Sequence, residues 1–138
     1  MILNPMMENK KVAFISGHRN LEQSEFDKYY VPEIQKYANL GYDFVVGDYY
    51  GCDIMAQTWI SEHLDHNRVT VYHMLKSPRN LASKDFKQVG GFKTDIERDS
   101  AMTNASSVDI AFIRPGNWTS GTAQNILRRY EKLPKKKK

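Results

Sequence analysis

Short apolar runs alternate with helically spaced apolar positions along the chain from Lys11 onward. Val12 to Ile15, inside KVAFIS, has the length of a strand buried on both faces and ends in Gly17-His18-Arg19-Asn20, so it predicts a first strand and its loop. Ser24 to Leu40 predicts one helix, with Ile34, Tyr37, Ala38 and Leu40 toward the core, Pro32 near the true first turn and Gly41 closing it. Tyr42 to Gly47, YDFVVG, predicts a second strand running into Asp48-Tyr49-Tyr50-Gly51-Cys52-Asp53. Ile54, Met55, Thr58, Trp59, Ile60 and Leu64 mark an amphipathic helix, and Val69 to Met74 alternates as a third strand. Leu75 to Gly91 holds Pro78 and Gly90-Gly91 without a clear period, which predicts a long loop, mobile over a site. Phe92 to Asn104 is polar but helical in spacing through Ile96 and Met102. Val108, Ile110, Ala111, Phe112 and Ile113 predict a last strand. Pro115-Gly116 and Ser120-Gly121 punctuate the turn after it, and Thr119, Ser120 or Thr122 is placed to cap a helix through Ala123, Ile126, Leu127 and Tyr130.

Such an alternation implies an α/β domain of three layers, a parallel sheet with helices on both faces and strand order 3-2-1-4. That order opens a crevice at the carboxyl ends of the first and fourth strands, where their connections diverge. Residues 16–20 and 115–122 then face each other, with 48–53 beside the first. N–H groups at the start of a helix have no partners within it, so with small hydroxyl side chains they can hold an anionic oxygen. The plain alternative is a glycine turn that only changes direction.

The chain of 138 residues divides into a flexible start (1–10), one domain (11–133) and a basic tail (134–138). The formal charge of +4 equals that of Lys135 to Lys138; without them 16 basic side chains face 16 acidic ones. The body is neutral, which disfavours nucleic acid as a partner. One cysteine, Cys52, excludes an internal disulfide and a zinc-ligand set. No apolar run approaches the roughly 18 residues of a bilayer span, and the polar start lacks a secretory core. The expectation is a cytoplasmic protein without membrane attachment. Apolar helix faces leave room for a homo-oligomer.

The fragments SGHRN, GDYYGCD, RDSAM and RPGNWTSGTAQNILRR, each on its expected element, resemble the SLOG superfamily of Rossmann-like nucleotide-binding proteins, closest to its YspA/cpYpsA-like branch. The similarity spans about Lys11 to Arg129. The family's GGxxGAD motif is matched by Gly47, Asp48, Gly51, Cys52 and Asp53, and its RNxxM or RKxxM motif by Arg98 and Met102, with Asp99 at the second position. Its PGGxGT motif is matched by Pro115, Gly116, Gly121 and Thr122, with Trp118 to Ser120 filling a longer turn. The resemblance implies a nucleotide or nucleotide-derived ligand, such as a nucleoside phosphate or an ADP-ribose-like molecule, with phosphate on Gly116, Asn117, Ser120, Gly121 and Thr122. It calls for no cofactor.

Relatives such as the cytokinin-activating phosphoribohydrolases and the nucleoside 2-deoxyribosyltransferases cleave or exchange an N-glycosidic bond. That chemistry develops positive charge on the sugar and needs a carboxylate. Theirs is a Glu on the helix after the Gly-Thr pair, where this chain holds Gln124 and Asn125. The function expected is therefore ligand sensing or sequestration. The alternative is an N-glycosidase or deoxyribosyltransferase with Asp99 as the replacement catalytic carboxylate.

Arg98 and Arg19 suit a phosphate, Arg98 alternatively forming a salt bridge to Asp95 or Asp99 on its own helix. Asp48 or Asp53 suits ribose hydroxyls, unless Asp53 is only a helix cap. Ser16, Gly17, His18 and Asn125 complete the set, and Trp118, Tyr49 or Tyr50 offers a ring for a base. His63 and His66 have no third partner for a metal.

Overall fold

A computed structural model describes residues 11–132. The N-terminal stretch 1–10, the lysine tail and the last domain residue lie outside the described residues. Strands β1 (Val12–Ser16), β2 (Asp43–Val46), β3 (Val69–Met74), β4 (Lys87–Phe92) and β5 (Val108–Ala111) form one sheet in the order β4-β3-β2-β1-β5. Every pairing is parallel. Helices α1 (Gln23–Tyr29), α2 (Val31–Asn39), α3 (Cys52–His63), α4 (Asp95–Ala105) and α5 (Gly121–Lys132) complete the α/β fold.

The expected order of four strands is present, extended at one edge by β4. The sequence predicts loop there, and the structure corrects it. KQVGGF is almost wholly exposed, so it carries no apolar alternation to announce a strand. It is held by its ladder to β3 and by Phe92 stacked on Tyr72. Gly90 lies against the His73 ring, where any larger residue would collide.

The remaining connection, 75–86, is no lid. Leu81 and Phe86 join the core beside α3, and Gln57 fixes the backbone by donating to the Asn80 carbonyl at 3.3 Å and accepting from the Ala82 N–H at 2.9 Å.

The predicted single helix over 24–40 is divided at Tyr30 into α1 and α2. Pro32, in the first turn of α2, has no N–H to continue the ladder from α1.

Strand alternation distributes the core between two faces. Ala13, Ile15, Phe44, Val46, Val69, Val71 and Ile110 pack against Phe26, Tyr30, Ile34, Ala56 and Ile60 of the α1–α3 layer. Phe14 and Val45 pack under Met102 of α4 on the other face. Near the end of α5, Arg129 grips both Asp109 carboxylate oxygens (2.8 and 3.1 Å) and the Ser106 carbonyl (3.0 Å). That clamp fixes α5 against β5 and so sets where its N-terminus points.

Candidate ligand-binding cleft

The strand ends of β1 and β5 are held together where their connections part. Tyr30 donates its hydroxyl proton to the Ser16 carbonyl (2.8 Å), and the same oxygen accepts the Phe112 N–H (2.9 Å). Two residues further along each chain segment, His18 Nε2 accepts the Arg114 N–H at 3.1 Å. Burial and the Arg114 charge lower the His18 pKa, so the neutral imidazole acts as a pin between loops. Arg114 in turn forms a two-pronged pair with Glu25 (2.7 and 2.9 Å) and donates to the Asn20 carbonyl and Oδ1. That hydrogen-bonded pair holds the Glu25 carboxyl at about 2.

Above these strand ends lies a cleft of about 490 Å³. Ser16, Gly17, His18, Arg19, Asp53, Arg98, Asp99, Asn117, Ser120, Gly121, Thr122 and Asn125 line it, as the sequence reading expects. Gly47, Asp48, Pro115 and Gly116 are absent from the lining. Phe14 and Met102 bring apolar surface from the sheet and α4, while Asn20, Tyr49, Tyr50 and Asp95 are further lining residues. Trp118 is two-thirds exposed and outside the lining.

Ser16 follows Phe14 on the same strand face, toward α4 and α5. Only 6% exposed, it carries a buried Oγ with no hydrogen-bond partner. A buried hydroxyl in that state is a costly exception, since folding strips it of water without replacing the bond. The first N–H groups of α5 belong to the same cleft. Of the three expected caps Ser120 serves, its Oγ accepting the Ala123 N–H at 3.2 Å.

Asp48 lies outside the lining and is bonded from within by Arg98, which does line the cleft. Asp48 is wholly buried and accepts from Arg98 Nη1 (2.8 Å), from Arg79 Nη2 (2.9 Å) and Nε (3.2 Å), and from the Arg79 backbone N–H (2.9 Å). Burial alone would raise its pKa; the Arg79 hydrogen bonds and the two guanidinium charges outweigh that and hold it below the ordinary value. Arg98 also donates from Nη2 (2.9 Å) and Nε (3.2 Å) to Asp99 and lies 3.3 Å from Asp95, so both same-helix pairs considered from sequence form. A guanidinium so engaged positions the carboxylates around it and is poorly placed to take a phosphate. Arg79, on the connection after β3, gives no motif in the sequence and is revealed only by the fold.

Asp53 is the second residue of α3 rather than its cap, a position taken by Gly51. Its Oδ2 accepts the Tyr49 N–H at 3.1 Å and closes the GDYYGCD turn. Burial pushes its carboxyl up to about 7 against the opposing charge of Arg98. Gly47 lies directly beneath, so a Cβ there would press on Asp53 and the Arg98 guanidinium. Asp99 is raised by burial as well, with Arg98 and a hydrogen bond from Asn125 pulling the other way. Cys52 is buried with its thiol pKa pushed up, which suits packing and not nucleophilic chemistry. Arg19 is exposed and lines the cleft together with Tyr49 and Tyr50.

Among the described residues no cluster of metal-ligating side chains forms, and no helix is long and apolar enough to cross a membrane. Compared with protein-family models, curated proteins and solved structures, the chain matches none.

Proposed function

We propose that this cleft binds a nucleotide or nucleotide-derived ligand for sensing or sequestration. The observation that carries the reading is the buried, unpartnered Ser16 Oγ, which shares the cleft with the N-terminus of α5, Ser120 and Thr122. Helix N–H groups and hydroxyls together suit a phosphate, and a phosphate oxygen would supply the acceptor that Ser16 lacks. Asp53 and Asp99, at the floor, suit sugar hydroxyls. The resemblance of the four sequence fragments to SLOG proteins supports the same ligand class. Asn125, where the glycosidic relatives carry Glu, favours binding over turnover.

Titration calorimetry against nucleoside monophosphates, ribose 5-phosphate and ADP-ribose tests this. Binding is expected, with at least a tenfold loss for Ser16→Val; no binding by any of these at millimolar concentration overturns the reading.

A second reading is favoured by the presence of two carboxyl groups, Asp53 and Asp99, in the lining of the cleft. It is an N-glycosidase, in which Asp99 stabilises the sugar cation, water adds at the anomeric carbon and the base leaves with a proton. Free base and sugar phosphate appearing in the same incubations, and abolished by Asp99→Asn, would establish this reading; ligands recovered unchanged exclude it.

A further inference from the structure

We propose that Tyr50, backed by Tyr49, is the wall against which the cleft recognises a base, and that the ring it takes is neutral, such as a purine, and not a cationic pyridinium. The inference rests on the nucleotide reading above and specifies its base.

Both tyrosines follow the buried end of β2 and line the cleft, with ring centres 4.4 Å apart and planes inclined by 48°. Tyr49 is held from several directions. The Arg79 guanidinium lies 4.8 Å from its ring centre, its backbone N–H is bonded to Asp53, and its hydroxyl donates to that of Tyr50 at 3.5 Å. Arg79 is itself anchored by the buried Asp48 and by Asp95 at 2.8 Å. Tyr49 is thus a fixed backing and not a loose loop side chain. Tyr50, against it, is 50% exposed. An aromatic face left half in water on a rigid support gains by stacking a planar ring, and such stacking tolerates any base because every base has a π-face.

Charge decides which rings fit. Arg79 is matched by Asp48 and Asp95, so the charge beside the tyrosine pair that enters no ion pair among the described residues is that of Arg19. A cationic ring would meet like charge there, whereas a neutral one would not. The anion-suited end of the cleft, at Ser16 and the start of α5, and the carboxylates Asp53 and Asp99 are separate features of the same space. A ligand with ring, sugar and phosphate in series would use all three.

The test is titration calorimetry of the full chain with adenosine 5′-monophosphate, ribose 5-phosphate and nicotinamide mononucleotide, on wild type, Tyr50→Phe and Tyr50→Ala. Adenosine monophosphate is expected to bind more tightly than ribose 5-phosphate. Tyr50→Ala should cost it about 5- to 150-fold while leaving ribose 5-phosphate unchanged, as a base-stacking contact predicts. Tyr50→Phe should retain wild-type affinity, and nicotinamide mononucleotide should bind no better than ribose 5-phosphate. Equal binding of adenosine monophosphate and ribose 5-phosphate overturns the wall alone. So does a Tyr50→Ala loss common to both, or tighter binding of nicotinamide mononucleotide than of adenosine monophosphate. Failure of adenosine monophosphate and ribose 5-phosphate to bind wild type overturns the wall, and failure of the other nucleoside monophosphates and ADP-ribose as well overturns the nucleotide reading with it.

Discussion

Asp53 keeps a proton that most aspartates lose, because burial raises its carboxyl from 3.8 to about 7. The unfolded chain releases that proton near pH 4, so the folded state binds more protons between about pH 4 and 7, and stability through this group falls as pH rises across that window. Asp99 acts in the same direction, while His18, lowered by burial, acts in the opposite one. The comparison that isolates Asp53 is therefore wild type against Asp53→Asn, in thermal melts from pH 5 to 8. The variant is expected to gain stability relative to wild type as pH rises, since an amide oxygen can still accept the Tyr49 N–H. A constant difference across the range would contradict the assignment. Arg98 belongs to the same network. Arg98→Met leaves buried Asp48 with Arg79 alone, and denaturant titration should register a loss of about 3 kcal/mol. Of these residues, Asp53, Asp99 and Arg98 were legible as site residues because they fall on motifs. That Arg98 faces Asp48, 50 positions away, was not legible, since only the sheet order brings them together.

At the scale of elements, the break between α1 and α2 shows how a local rule becomes a site feature. Pro32 ends one helix and starts another, and Tyr30 at the joint turns its hydroxyl toward the ends of β1 and β5. Tyr30→Phe removes one donor and one acceptor from two backbone groups at the cleft, so a destabilisation of about 1–3 kcal/mol is expected by denaturant titration. The sequence does not single out Tyr30, and both its burial and its hydroxyl contacts come from the tertiary structure. For α4, Thr94 Oγ1 accepts the Glu97 N–H at 3.1 Å, and Thr94→Ala should cost about 1 kcal/mol in the same assay. The strand β4 escaped the sequence because its six residues are nearly all exposed and its pairing is made by backbone groups that any sequence carries.

For the whole molecule, the sheet order places the best-buried strands in the middle and β4 at an edge. Native-state hydrogen exchange is expected to be slowest in β1 and β2 and to begin in β4, whose opening uncovers little apolar surface. Equal protection across the sheet would mean that the edge strand unfolds only with the core. The cleft sits at the opposite side of the sheet from β4, on the junction of β1 and β5, so it is built on an interior strand paired on both sides and on α5 clamped through Arg129.

By itself the sequence determined the layered α/β plan, the order of four strands and most of the residues around the cleft. Apolar runs, helical spacing and glycine turns are local signals, and a parallel sheet leaves few ways to connect them. Tertiary structure alone decided which of those residues face the cleft and which are consumed within the protein. Whether Asp48 meets a ligand or Arg79 and Arg98, and whether Ser16 finds a partner, depends on groups far apart in the chain whose distances the fold sets. Burial then fixes their charge, because desolvation belongs to a position in space and not to a residue type.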